Sequence, residues 1–224
     1  MAAPLKLLWV ESSPNGDYST STACARAFIE ALTSEHGSVA VTHLDVWAAE
    51  LPVFGRDAVM AKLAHLYRQE RNAEQQAAWD EVLAHIDHVR AHDALVVSCP
   101  MWNLNIPYPL KQWIDVIAQP MVTFEFDRTG HPVGVLGAQR HAQLILTRSG
   151  EYNGHSATMM DFQQPYLEYV FGRMLGYAVA ESVVIEPTTT YTPEAHAALR
   201  NQALAAAAAA GVRFAASLHG ATPP

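Results

Sequence analysis

The sequence predicts an α/β protein in which helices cover both faces of a parallel β-sheet. Three observations support this. Short apolar runs rich in β-branched residues recur along the chain without polar alternation, as is typical of strands buried on both faces. Segments with apolar residues at helical spacing lie between these runs. An alternation of strands and helices builds a parallel sheet through right-handed crossovers.

Five strands are predicted, at residues 5–10, 39–44, 94–99, 141–147 and 179–185. The third is the clearest, because its apolar run is uninterrupted until Pro100. Residues 122–126 resemble a short additional β segment within a stretch punctuated by Gly and Pro.

Helices are predicted between these strands. The first begins near Thr20 and ends near His36 and Gly37, since glycine commonly terminates helices. A long helical stretch follows Gly55, and its clearest part is the apolar stripe Trp79, Val82, Leu83, Ile86 and Val89. Further helices are expected after Pro107, over about residues 158–175, and from Pro193 through the alanine tract 205–210, which strongly favours helix.

Composition limits the function classes. Half of the 224 residues are hydrophobic, which suffices for one sizeable core, and we expect a single domain over residues 1–224. The formal charge of −8 argues against nucleic acid or an anionic membrane surface as partner. The first apolar run is too short for a signal peptide, and no run reaches transmembrane length. Cys24 and Cys99 form no CxxC motif, so a cytoplasmic protein with two reduced, buried cysteines is expected.

The loop after the first strand, ESSPNGDYSTST, is dense in hydroxyl groups. It leads into a helix N-terminus, where free backbone N–H groups attract anions. The loop contains no Lys or Arg and matches neither GxxxxGK[ST] nor GxGxxG. A neutral site of this kind suits a monoester phosphate held by hydrogen bonds. The alternative is that these residues only cap the helix.

Two further loops follow predicted strands and should lie on the same edge of the sheet. The loop Met101-Trp102-Asn103-Leu104 places an amide between large apolar side chains, which suits the edge and face of a heteroaromatic ring. The alternative is a core loop with Trp102 packed inward. The segment 148–152, RSGEY, follows the fourth strand. The three loops together indicate a ligand site more strongly than any one of them.

The chain resembles the FMN-dependent NAD(P)H azoreductase/quinone reductase family. The family's hydroxyl loop (Ser-Ser, a spacer, then Tyr-Ser-x-Ser) is matched at residues 12–21, and its Pro-Met-Tyr-Asn-Phe flavin loop with a following Leu-Lys is matched at residues 100–104 and 110–111. Its Val-Thr-Phe segment is matched at residues 122–124. The resemblance implies a flavodoxin-like three-layer α/β/α sandwich with five parallel strands in the order 2-1-3-4-5.

The resemblance also implies an activity: transfer of a hydride from NADH or NADPH to the flavin N5 and then of two electrons to a quinone or azo compound, in ping-pong fashion. No side chain is expected to act as a catalytic acid or base. A homodimer is implied, with the partner chain closing the pocket. The implied FMN-binding residues are Ser13, Ser19, Thr20, Ser21, Pro100, Met101, Trp102, Asn103, Leu104, Arg148, Ser149, Gly150 and Glu151. Phe124 and Phe126 are expected in the wall of the substrate pocket.

The sequence departs from the family pattern at the flavin loop, where Trp102 and Leu104 replace Tyr and Phe. The family's Ser-Arg-Gly-Gly turn is compared here with residues 148–151, which places the side chain of Glu151 close to the expected ring.

Other functions remain alternatives. One is an FMN-binding electron carrier without a nicotinamide reaction. A serine hydrolase is suggested only by residues 154–158, GHSAT, which approach the GxSxG motif. His85, His88 and His92 share a helix face, but without a carboxylate or Cys ligand set a solvated face is favoured over a metal site.

Overall fold

The computed structural model of the protein describes residues 3–138, 140–152, 160–190 and 192–220. Its strands are β1 (Leu5–Glu11), β2 (Val39–Asp45), β3 (Ala94–Pro100), β4 (Phe124–Phe126), β5 (Pro132–Gly134), β6 (His141–Thr147), β7 (Ala178–Val179) and β8 (Val183–Ile185). The main sheet has the order β2-β1-β3-β6-β7, with β8 also paired to β6 and all pairs parallel. This confirms the predicted order of five strand positions.

The fifth strand position differs from the prediction of one continuous strand over residues 179–185. It consists of β7 and β8, which pair with the two ends of β6. Between them, the buried side-chain amide of Gln143 donates a hydrogen bond to the carbonyl oxygen of Glu181 at 3.0 Å. At this break in the backbone ladder, a buried side chain thus satisfies a carbonyl oxygen of the segment between β7 and β8.

The helices are α1 (Thr20–His36), α2 (Arg56–Tyr67), α3 (Ala73–Arg90), α4 (Tyr108–Ile117), α5 (Gln164–Glu168) and α6 (Pro193–Gly220). A 3₁₀ turn, Gly16–Tyr18, precedes α1, and a π-helical segment, Tyr169–Met174, continues α5. The helix predicted from residue 158 is wrong at its start among the described residues. It begins only at Gln164, because the Asp161 carboxylate accepts hydrogen bonds from the backbone N–H groups of Gln163 and Gln164.

Two apolar layers explain why the strands show no polar alternation. On one face, Leu7 and Val96 pack with Phe28 of α1 and Phe214 of α6. On the other face, Leu8, Val97 and Leu144 belong to the layer under α2, α3, α4 and α5. Adjacent strand residues thus point into different layers, and both layers are apolar. The three-layer arrangement predicted from the sequence is confirmed.

The short strands β4 and β5 form an antiparallel hairpin beside the amino ends of the main strands. Arg90, the last residue of α3, donates to the carbonyl oxygen of Val122 at 2.7 Å, and α3 leads directly into the start of β3. The backbone of Gly137 bonds to Leu175, just before β7. Among the described residues, no helix combines the length and apolar character needed to cross a membrane.

Candidate functional site

A cavity of about 290 Å³ opens at the carboxyl ends of β1, β3 and β6. It is lined by Ser13, Asn15, Tyr18, Ser19, Thr20, Pro100, Met101, Trp102, Thr147, Ser149 and Thr188. The structure therefore brings the three predicted loops together, as expected for an open α/β sheet. Of the described residues that line the cavity, none carries a charged side chain.

The N-terminus of α1 forms one wall. Ser19 is the N-cap, and its Oγ accepts a hydrogen bond from the backbone N–H of Thr22 at 3.2 Å. The next two N–H groups, those of Thr20 and Ser21, have no carbonyl partner within the helix because they belong to its first turn. The cap therefore satisfies only part of this turn. Free N–H groups and hydroxyls at a helix start can hold a phosphate.

The four predicted hydroxyl residues take different positions here. Ser13, Ser19 and Thr20 line the cavity. Ser21 is completely buried behind them, with its Oγ 3.2 Å from that of Ser19, so its side chain supports Ser19 and does not reach the cavity wall. Capping and ligand binding are thus not exclusive, since Ser19 caps α1 and faces the cavity.

The loop after β3 forms a tight turn. Trp102 and Asn105 exchange two backbone hydrogen bonds of 2.8 and 2.9 Å. The central residues, Asn103 and Leu104, have φ values of +48° and +70°. Such values are unusual for a bulky residue such as Leu and cost on the order of 1 kcal/mol or more. Strain of this kind is common beside functional sites, and here the turn directs Trp102 toward the cavity.

Trp102 is 37 % exposed, which contradicts the alternative of a core loop with this side chain packed inward. Its ring lies 5.3 Å from that of Trp47, which contacts the ring of Tyr108 at 5.2 Å. Trp47 is fixed in turn, because its Nε1–H donates to the carbonyl oxygen of Ser12 at 3.0 Å. The cavity therefore has an aromatic side at Trp102 in addition to the hydroxyl side at the start of α1. Asn103 is exposed at the tip of the turn, and neither it nor Leu104 is among the described lining residues.

The third loop contributes less than predicted. Ser149 lines the cavity, whereas Gly150 and the exposed Glu151 are not among the described residues that do. The side chain of Arg148 is fully buried and turned away, with its Nη2 2.8 Å from Asp161 and its Nη1 3.1 Å from Glu186. Arg148 thus belongs to the wall behind the cavity.

Phe124 and Phe126 lie on the β4–β5 hairpin, at the amino ends of the strands and hence at the opposite edge from the cavity. Their rings contact each other at 5.5 Å in an edge-to-face arrangement. Phe124 is buried and Phe126 is 55 % exposed. Within one chain, the structure does not bring them to the cavity.

Four lining residues were not predicted: Asn15, Tyr18, Thr147 and Thr188. Asn15 and Tyr18 lie in the hydroxyl loop, where their polar side chains were a usable signal. Thr147 ends β6, and Thr188 follows β8 after the cis Glu186–Pro187 bond. The rule that ligands bind at the carboxyl ends of strands would have pointed to both.

The sequence also contains a cysteine, a group of histidines and a hydrolase-like motif that could carry chemistry. Cys99, at the end of β3, is fully buried, and burial raises the pKa of its thiol to about 11, so it remains protonated at neutral pH. His88 and His92 contact each other at 5.2 Å. Among the described residues, no three His, Cys, Asp or Glu side chains converge on a metal position. The hydrolase-like residues 154–158 lie outside the described part of the chain.

Comparison with known proteins agrees with this geometry. A family model described as a flavodoxin-like fold matches residues 5–210. An FMN-dependent NADH:quinone oxidoreductase of Nitratidesulfovibrio vulgaris (strain DP4) is 36 % identical over 209 residues, covering 93 % of this chain and 99 % of the relative. One from Pseudomonas fluorescens is 32 % identical over 186 residues, covering 82 % and 85 %.

Among solved structures, the azoreductase from Bacillus anthracis str. Sterne shares the fold, with a TM-score of 0.81 at 24 % identity, over 94 % of this chain and 100 % of that one. The chain belongs to the flavodoxin-like fold family and, within it, to the FMN-dependent NADH:quinone oxidoreductases.

Proposed function

We propose that the protein binds FMN in this cavity and uses NADH or NADPH to reduce quinones and azo compounds. The observation that carries the proposal is the meeting of a neutral hydroxyl wall at the start of α1 with an aromatic wall at Trp102. The first suits a phosphate monoester. The second suits a flat heteroaromatic ring. FMN carries both groups, and its ring system supplies hydride acceptance and hydride donation.

Different lining residues would hold the phosphate and the ring of FMN. Ser13, Ser19 and Thr20, with the free N–H groups of the first turn of α1, would hold the phosphate. Pro100, Met101 and Trp102 would contact the ring, and the strained turn at Asn103 and Leu104 fixes the direction of Trp102. Ser149 and Thr188 would close the remaining side.

The overall reaction needs no nucleophilic side chain from the protein. NADH loses a hydride and becomes NAD⁺, and a quinone takes up that hydride with one proton to become a hydroquinone. The similar NADH:quinone oxidoreductases support quinones as acceptors, and the structurally similar azoreductases support azo compounds. The cytoplasmic location and the choice between NADH and NADPH stay predictions.

The direct test is to identify the bound cofactor. Purified protein should be yellow and should release FMN, and not FAD, on denaturation, because the hydroxyl loop lacks a dinucleotide motif. The protein alone should then oxidise NADH or NADPH when a quinone is added. Failure to take up added FMN would disprove the proposal. FMN binding without nicotinamide oxidation would instead indicate an electron carrier.

Steady-state kinetics test whether donor and acceptor use the cavity in turn. With one cavity beside the aromatic wall, we expect NAD⁺ to leave before the quinone enters. Double-reciprocal plots for NADH at several quinone concentrations should therefore be parallel lines. Intersecting lines would show that both substrates are bound together and would contradict a shared cavity.

The proposal includes a homodimer, because the pocket-wall role expected of Phe124 and Phe126 requires one. Because their hairpin lies far from the cavity of its own chain, these residues can belong to a pocket wall only if a partner chain supplies them. We expect light scattering to give the mass of two chains. We also expect Phe126→Ala to raise the KM for quinones with little change in the melting temperature, since this ring is 55 % exposed in the single chain. A monomeric, fully active enzyme would exclude this arrangement.

A further inference from the structure

Among the described residues, Arg148 is the buried cation with the most polar contacts, and it lies just behind the cavity. Arg148 directly follows β6, and its side chain is fully excluded from solvent. Four guanidinium contacts run to four different side chains: Gln163 at 3.1 Å, Gln164 at 3.1 Å, Asp161 at 2.8 Å and Glu186 at 3.1 Å. A guanidinium has five N–H donors. Arg148 therefore has little capacity left for a ligand, and its role must be sought among these partners.

The partners connect separate segments of the cavity rim. Glu186 also accepts the backbone N–H of Tyr152 at 3.1 Å, which ties the loop after β6 to the loop after β8. Gln163 donates its side-chain amide to the carbonyl oxygen of Cys99 at 3.0 Å, directly before Pro100 and Met101. The backbone oxygen of Arg148 accepts the N–H of Thr188 at 2.7 Å. One guanidinium is thus linked to the segments that carry four lining residues: Pro100, Met101, Ser149 and Thr188.

Stability alone does not account for this cluster. Asp161 and Glu186 are only 13 % and 11 % exposed, so the cluster buries two carboxylates against one cation. Desolvation of buried ion pairs offsets most of their attraction, and well-packed apolar residues are often as stable. The planar guanidinium of Arg148 instead fixes the relative orientation of its partners, because its N–H donors point in fixed directions.

We propose that Arg148 is a positioning residue that fixes the rim loops 149–152 and 186–188 to the end of β3 and so sets the shape of the cavity wall. The part that concerns FMN rests on the proposed function. Lys cannot replace Arg148 in this role, since its donors radiate from a single atom.

The test uses a double variant, Arg148→Gln/Glu186→Gln, which removes one cation and one anion. The net charge of the cluster is unchanged, and Asp161 keeps its hydrogen bonds from the backbone N–H groups of Gln163 and Gln164. The variant is therefore expected to fold. Arg148→Lys is the second variant. The control is Arg173→Gln, which breaks a half-exposed ion pair with Asp127 on the hairpin.

Two measurements are made on each protein. Amide hydrogen exchange without FMN should be roughly tenfold faster or more at Tyr152 and Thr188 in both Arg148 variants, and unchanged in the interior of α1 and in the control. The dissociation constant for FMN should rise by about tenfold in the same two variants, as expected for residues coupled in one network. Loss of FMN binding should thus follow local loosening of the rim.

Three outcomes would overturn the proposal. The first is unchanged amide exchange at both Tyr152 and Thr188 in the Arg148 variants. The second is faster exchange at these amides with unchanged FMN affinity. The third is a uniform increase in the exchange rate across the sheet, which would show a purely structural role. Failure of the wild-type protein to bind FMN would refute the proposed function alone, because the exchange measurement needs no flavin.

Discussion

Replacing Ser19 by Asp should abolish high-affinity FMN binding while leaving the fold intact. Ser19 caps α1 through a bond from the N–H of Thr22 and also lines the cavity. Asp caps helices as well as Ser does, so the stability of the apo-protein should be preserved or slightly raised. At the cavity, however, the carboxylate would replace a hydroxyl donor by a charge that repels phosphate.

The expected size of this effect follows from the lost hydrogen bond and the added repulsion. A hydrogen bond to a charged group contributes roughly 1.5–3 kcal/mol. With like-charge repulsion added, FMN affinity should fall by at least about a hundredfold, at about 1.4 kcal/mol per tenfold. The measurement is a fluorescence titration of the apo-protein with FMN, accompanied by a thermal melt without flavin.

Ser19→Asn is the matched control, because Asn has nearly the same shape as Asp, caps equally well and carries no charge. It should lose far less affinity than Ser19→Asp. Equal FMN affinity in the Asp and Asn variants would show that no phosphate lies at this helix start. Ser21→Ala is a second control, because the side chain of Ser21 does not reach the described cavity wall. This substitution should weaken FMN binding only slightly, through loss of the contact between Ser21 and Ser19.

The close approach of α6 to α1 gives the second prediction. A Cβ added at Gly211 would overlap the carbonyl oxygen of Phe28 and lie 3.1 Å from the Cβ of Ala31. Ala is favoured over Gly within a helix by about 1 kcal/mol. Overpacking a close-packed contact costs about 1–3 kcal/mol, and more where backbone must move. Because the clash is with backbone, the steric cost should exceed the gain in helix propensity.

We therefore expect Gly211→Ala to lower the free energy of unfolding, and Gly211→Leu to lower it by more than about 3 kcal/mol. Urea unfolding monitored by circular dichroism measures both. Ala209→Leu is the control, since Ala209 is exposed on the same helix and its substitution should change stability by less than about 0.5 kcal/mol. A more stable Gly211→Ala protein would show that α1 and α6 have room to separate.

Most of the fold could be predicted from the sequence because local patterns specify it. The uninterrupted apolar run before Pro100, the Ser-Thr start of α1 and the alanine tract of α6 each correspond to the observed element. The two errors differ in origin. The break in the last strand lies where Gln143 bonds to Glu181, 38 residues away, which no local pattern predicts. The late start of α5 had a local signal, because Asp161 accepts from the N–H groups of Gln163 and Gln164.

The candidate site also combines features that the sequence predicts with features that depend on tertiary packing. The order of strands and loops along the chain indicates which loops meet, because the carboxyl ends of parallel strands share one edge. The hydroxyls of residues 12–21 indicate a neutral phosphate site. The direction of each side chain at the site depends on the folded structure. Ser19 faces the cavity while Ser21 lies behind it, Arg148 points inward, and the hairpin with Phe124 and Phe126 lies at the far edge. Sequence spacing fixes neighbours along the chain, whereas the direction of a side chain depends on packing against distant residues, which no local pattern records.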